Sequence, residues 1–195
     1  MQIDLDLLFT WGAIAKEYKK NEIIFREEES ANFYYQIIDG CVRMYNSNEE
    51  GKEFTQGYFK NGHSFGEPPL FIDELYPSTA VAFRDSKIVK ISKEKFLKIL
   101  EEYPFIQKQF LNLMATRIHT KAKTTKDIVN QKPEFRILAF LNAHKNPDCP
   151  NKELVAFTRQ EIANFTGLRV ETVIRELSRM SKMNKVEIIN HKLYY

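Results

Sequence analysis

The chain has 195 residues, 43% of them hydrophobic and 13% aromatic, which is room for two small domains or one large one with a full apolar core. A formal charge of +3 and a pI near 8.7 are only mildly basic, so the placement of charge, not its sum, has to argue for any nucleic-acid partner. Cys41 and Cys149 stand far apart with no CxxC, against a disulfide framework, a zinc site or a cysteine-ligated iron–sulfur cluster, and the acidic start Met1-Gln2-Ile3-Asp4-Leu5-Asp6 with no apolar run of spanning length argues for the cytosol and against a membrane.

In chain order, residues 1–17 predict a short helix, with Ile3, Leu7, Leu8, Trp11 and Ile14 at roughly helical spacing. From Glu17 to Ser92 the period shortens. Segments rich in β-branched and aromatic residues occur at 22–25, 33–38, 41–45, 53–59, 79–83 and 87–91. Turn signals separate them at Asp39-Gly40, Asn46 to Gly51 and Asn61-Gly62. Many short strands at this spacing predict an antiparallel sandwich or jelly roll.

Lys93 to Tyr103 then reads as a short amphipathic helix, and Pro104 suits the first turn of a longer one reaching about Asn130. Along it Gln107, Leu111, Met114, Ile118, Lys121, Thr125 and Ile128 recur at alternating steps of four and three. That is a heptad seam, and it predicts dimerisation. Packing on the β-domain alone is the competing account, and polar Gln107, Lys121 and Thr125 weaken the seam. Pro133 falls near an expected hinge, Phe135 to Leu141 opens a further helix, Asn146 to Asn151 reads as a loop, and Leu154 to Phe157 as a short strand.

Thr158 to Leu177 carries the most specific pattern. Thr158 and Glu161 have capping-box spacing, Ile162 and Phe165 form an apolar face, and Ala163 lets a crossing helix approach. Gly167 supplies a sharp turn, Leu168 plugs the corner, and Val173, Leu177 and Met180 continue at helical spacing. This is the layout of a helix-turn-helix whose second helix enters a DNA major groove. Its outward face offers Arg169, Glu171, Thr172 and Arg175; Arg can bond guanine O6 and N7, and Glu can accept from cytosine N4. An ordinary surface pair between Glu171 and Arg175 is the alternative account. Val186 to Ile189 and Lys192 to Tyr195, around Asn190-His191, predict a terminal β-ribbon, a wing beside that helix.

Over nearly its whole length the chain resembles the Crp-Fnr superfamily of bacterial transcription regulators. Three stretches carry the resemblance: Gly40-Cys41-Val42-Arg43-Met44-Tyr45, Gly62-His63-Ser64-Phe65-Gly66-Glu67, and Thr158 to Ala163 with Gly167 and Glu171-Thr172-Val173-Ile174-Arg175. It implies an α+β fold with an antiparallel β-roll (jelly roll) effector domain over residues 1–103. A long dimerisation helix would follow over 104–131, and a winged helix-turn-helix over 132–195. It also implies a homodimer on double-stranded DNA, reading an inverted repeat with half-sites about 34 Å apart and working with RNA polymerase. Leu111, Met114, Ile118, Thr125 and Ile128 would carry the dimer, and Arg159 matches a phosphate-contacting residue of the first helix.

The resemblance also locates an effector site and its departures. Gly66, Glu67 and Ser78, with Phe65 and Thr79 beside them, match parts of a cyclic-nucleotide cassette. The arginine expected to neutralise the phosphate falls near Tyr76-Pro77, Arg84 lies in a following strand, and Pro68-Pro69 removes two amides. The adenine-contacting Thr-Ser pair falls on Lys121-Ala122. These departures predict that cyclic AMP is not bound in the usual way. Two Lys121 side chains across a dimer would either snorkel outward or meet another anionic effector. Val170 stands where an arginine reads DNA and could touch a thymine methyl instead. Two other functions compete: a regulator whose β-roll is a ligand-free dimer scaffold, and a cupin-like metal enzyme. For the latter His63 stands alone, with His119, His144 and His191 scattered.

Overall fold

The computed structural model describes residues 2–130, 132–145 and 152–195, with side chains described except at 123–130. Two compact units emerge: Met1–Gly51 with Thr55–His119, and Thr120–Tyr195 with Lys52–Phe54.

In the first unit the Asp4 side chain accepts from the amides of Asp6 and Leu7, capping α1 (Leu5–Thr10). The helix stops at Trp11, and after Gly12 the chain enters β1 (Ile14–Tyr18), so the helix expected over residues 1–17 is wrong in its second half. β1 pairs antiparallel with β8 (Ser86–Ser92) and buries only Tyr18, which leaves no inward alternation for the sequence to display.

The expected β-segments form β2 (Ile23–Phe25), β3 (Phe33–Asp39), β4 (Cys41–Ser47), β5 (Glu53–Lys60), β7 (Thr79–Ala82) and β8. A two-residue strand, β6 (Ser64–Phe65), is additional. They make two four-stranded sheets, ordered β1-β8-β3-β6 and β2-β7-β4-β5, the jelly roll that the spacing predicts. Pro68 and Pro69 open a short helix, α2 (Pro68–Ile72), at positions whose amides a helix leaves unpaired in any case.

Aromatic stacking ties the roll to the helices that follow. Tyr34 lies flat on Phe96 of α3 (Lys93–Glu102), with ring centroids 4.5 Å apart, and meets the edge of Phe110 in α4 (Pro104–Asn130) at 5.8 Å. Such pairs add ~0.5–1.5 kcal/mol beyond burial. The buried Gln36 carboxamide accepts from Ile3 N and the Tyr34 hydroxyl and donates to Ile3 O, which satisfies it and pins the N-terminal segment.

The second unit contains α5 (Pro133–His144), α6 (Arg159–Thr166), α7 (Val170–Lys182), β9 (Glu187–Ile189) and β10 (Lys192–Tyr194). Ile137, Phe140, Leu141, Ile162, Val173, Leu177, Met180, Val186 and Leu193 form its core. The strand expected at Leu154–Phe157 is reduced to a single bridge, Leu154 to Tyr194, although Val155 N still donates to Leu193 O at 2.8 Å. The loop expected at 146–151, Cys149 included, lies outside the described residues.

Candidate nucleic-acid interface and the buried pair of the roll

The reading unit is built from local causes. Thr158 Oγ1 accepts from Glu161 N at 3.2 Å, and Glu161 Oε2 accepts from Thr158 N at 2.6 Å, so the capping box starts α6 as its spacing predicts. Gly167 ends α6 at φ +67°, in the left-handed region, and Arg136 of α5 donates to the Thr166 carbonyl there. With Val173, Leu177 and Met180 turned into the core, α7 presents Arg169, Glu171 and Arg175 to solvent. Thr172 is half-buried. Val170 is too, and packs against the core. Arg169 is the N-cap of α7 but makes no side-chain cap bond.

Arg159, the first residue of α6, is half-buried, and its Nη2 donates to His191 O at 3.3 Å. Burial pulls its pKa below the usual guanidinium value, yet an arginine stays protonated. The bond ties α6 to the wing turn, where Asn190 and His191 both take positive φ, as a two-residue hairpin turn of the primed kind requires. At the other end, Glu134 of α5 accepts from Arg179 Nη2 at 2.5 Å and from Lys185 Nζ at 2.6 Å, and Arg179 also pairs with Glu176 at 2.9 Å. Charge is concentrated on this part of the chain. Residues 132–195 carry eleven Lys and Arg against seven Asp and Glu, a net +4, where residues 1–131 carry eighteen against nineteen.

On α4 the heptad positions separate from the packing positions. Ile106, Phe110 and Leu113 lean on the roll, while Leu111 is 69% exposed, Ile118 71%, and Met114 is half-buried. Gln107 and Lys121 are exposed as well. The side chains of Thr125 and Ile128 lie outside the described residues.

In the roll, Phe65, Gly66, Glu67, Ser78 and Thr79 are all buried. Glu67 has no exposed surface. Its Oε2 accepts from Arg117 Nη1 of α4 at 2.6 Å, and Arg117 Nη2 donates to Ser64 O at 2.7 Å. The same guanidinium lies over the Phe59 ring, 5.4 Å from its centroid. Arg117 is the functional candidate missing from the sequence reading. Its signal is a second stripe, Ile106-Phe110-Leu113-Arg117, at the same steps of four and three as the seam.

The place where an arginine was expected is filled by rings. Tyr76 is buried and stacks on Phe25 at 3.7 Å. Phe25 also closes on Gly66 (φ +74°), where a Cβ would come within 2.8 Å of Cζ. Burial holds the Tyr76 hydroxyl well above the ordinary phenol range. Arg84 faces away from this role, donating to Gly40 O at 3.1 Å from the turn after β7. Thr79 Oγ1 accepts from Glu27 N at 3.0 Å, Glu27 Oε1 accepts from Asn46 Nδ2 at 2.8 Å, and Asn46 Nδ2 also meets Pro77 O. No three His, Cys, Asp or Glu side chains converge to hold a metal among the described residues. Nor, among them, is any helix long and apolar enough to cross a membrane.

Residues 15–103 match the family model of the cyclic nucleotide-binding domain, and residues 135–194 that of the Crp-like helix-turn-helix domain. The chain is 29% identical over 178 residues to the cAMP-activated global transcriptional regulator CRP of Salmonella typhimurium, covering 89% of this chain and 84% of that protein. It is 25% identical to the anaerobic regulatory protein of Haemophilus influenzae, covering 89% and 69%. Among solved structures it is similar to the c-di-GMP responsive global regulator CLP of Xanthomonas campestris, at TM-score 0.85 and 20% identity, covering 97% and 96% of the two chains.

Proposed function

The chain belongs to the Crp-Fnr family of DNA-binding transcription regulators, and from that premise we propose that it acts as a homodimer reading an inverted repeat. Residues 104–131 would form the dimer helix between the roll (1–103) and the reading unit (132–195). The relatives it matches are regulators, not enzymes, so the cupin-like alternative falls. The observation that carries the reading is α7: its inner face is locked in the core, which holds Arg169, Glu171 and Arg175 outward on its first half. Arg175 and Glu171 are the base readers, and Arg159 braces the wing and neutralises phosphate. Leu111 and Ile118, open on a single chain, are covered by the same residues of a second copy, and RNA polymerase is the partner on the promoter.

Two substitutions test the reading. Arg175→Ala should cost ~1–3 kcal/mol and relax preference at one position of each half-site. Arg159→Ala should weaken all sequences evenly and flatten the salt slope by about 1. Both are read by fluorescence anisotropy on duplexes of varied sequence at several salt concentrations. Parent-like binding by both variants on every duplex would sink the assignment.

The roll is proposed not to bind cyclic AMP in the usual way. What supports this is that Tyr76 and Pro77 stand where a cation is needed, with the Tyr76 ring stacked on Phe25.

A further inference from the structure

We propose that Ile174 is a specificity-determining residue of α7: its side chain covers the 5-methyl group of one thymine in each half-site, so that position is read by apolar contact. This rests on the reading of α7 given above.

Between Val170 and Leu177 the exposed residues of α7 are Glu171, Ile174 and Arg175. Ile174 alone of these has no polar atom in its side chain, and it is 50% exposed. It lies outside the core that Val173, Leu177 and Met180 form with α5 and α6. Single exposed aliphatic residues are common on protein surfaces and by themselves mean little. What distinguishes Ile174 is where it stands. It follows Glu171 by three residues and precedes Arg175 by one, so it shares the flank of Glu171 within the span of the two charged readers. The N-terminal part of such a helix reaches base edges in a major groove, and Ile174 is the fifth residue of Val170–Lys182.

Val170, the apolar side chain that the sequence offers for a thymine methyl group, is half-buried and packs against the core. Ile174, one turn further on, is the more exposed of the two. Thr172 also carries a methyl group, but it sits two positions from Ile174 and therefore on a different face. A β-branched side chain in a helix keeps essentially one χ1 rotamer, which leaves little freedom to lose on docking. In the major groove thymine presents a methyl group, whereas the other bases present only donors and acceptors there. An isoleucine set against those edges would strip their water and return no hydrogen bond, which costs affinity. Ile174 therefore favours thymine twice, by covering its methyl group and by penalising the alternatives.

The test starts from a duplex that the full chain enriches from a random pool. Symmetric pairs of its thymines are replaced in turn by deoxyuridine, which removes the methyl group and keeps the hydrogen-bonding edge. The parent, Ile174→Ala and Arg175→Ala are titrated against each duplex by fluorescence anisotropy. Burying one methyl group is worth about fourfold in affinity, so the parent should lose about fifteenfold at one symmetric pair. Ile174→Ala should melt like the parent, because alanine is the better helix former. It should bind the thymine duplex more weakly and show no further loss with deoxyuridine at that pair. Deoxyuridine that costs the parent nothing at any thymine, or a penalty that Ile174→Ala keeps in full, would overturn the proposal. If no duplex were enriched, or Arg175→Ala bound like the parent, the reading of α7 would fail and this role with it. If Arg175→Ala lost affinity while the deoxyuridine scan stayed flat, the role of Ile174 alone would fail.

Discussion

A glycine at φ +67° between two helices is the most constrained residue of the reading unit. A Cβ at Gly167 would sit 3.0 Å from Arg136 Nη2, the group that donates to the last carbonyl of α6. Gly167→Ala should therefore destabilise by ~1–2 kcal/mol through the left-handed backbone alone. Urea unfolding of the full chain measures this, and an unchanged midpoint would mean the turn is not held as described. Gly167, Thr158 and Glu161 were legible in the sequence because their causes are local: a cap three residues long, a turn one residue wide. Arg117 was not, because its partner is 50 residues away and nothing in the spacing names Glu67 as the group it meets. The Phe25–Tyr76 stack was not legible either, since it joins β2 to a loop after α2.

At the scale of elements, α7 is held at both ends by chemistry that the outward face does not use. Glu134 links the start of α5 to Arg179 in the last turn of α7 and to Lys185 just beyond it. Hydrogen bonds from Lys185 and Arg179 hold the Glu134 carboxyl below the usual glutamate range. A carboxylate whose pKa is lower in the folded state stabilises above its unfolded value of about 4.3 and ceases to do so as pH falls through the lowered folded value. Acid should therefore weaken the winged helix, and Glu134→Gln should remove part of that pH dependence while leaving Arg179–Glu176 in place. Thermal melts from neutral pH to well below the carboxylate range check this, and parallel curves for parent and variant would contradict it. Strong, repeated periodicity made the helices and most strands readable. β1 was misread because Ile14 continues the helical spacing of Leu7 and Trp11, while four of its five residues face solvent. On α4 two stripes share one spacing, a step apart, so periodicity alone could not say which met the roll.

For the whole molecule, the roll, the exposed seam and the reading face have to act together. Leu111 and Ile118 are two large aliphatic side chains left open, and burying each is worth ~1.5–3 kcal/mol. Leu111→Asp with Ile118→Asp should shift the protein toward monomer in sedimentation equilibrium and weaken binding to a full site more than to a half-site. An unchanged mass would place the dimer contact elsewhere. The fold class was readable from the chain because each part has its own period and its own turn signals. The most direct measurement is selection of duplexes from a random pool by the full protein. An enriched inverted repeat with half-site centres about one helical turn, 34 Å, apart is the expected result; no enrichment, or a lone unpaired half-site, would contradict the proposed dimeric reader.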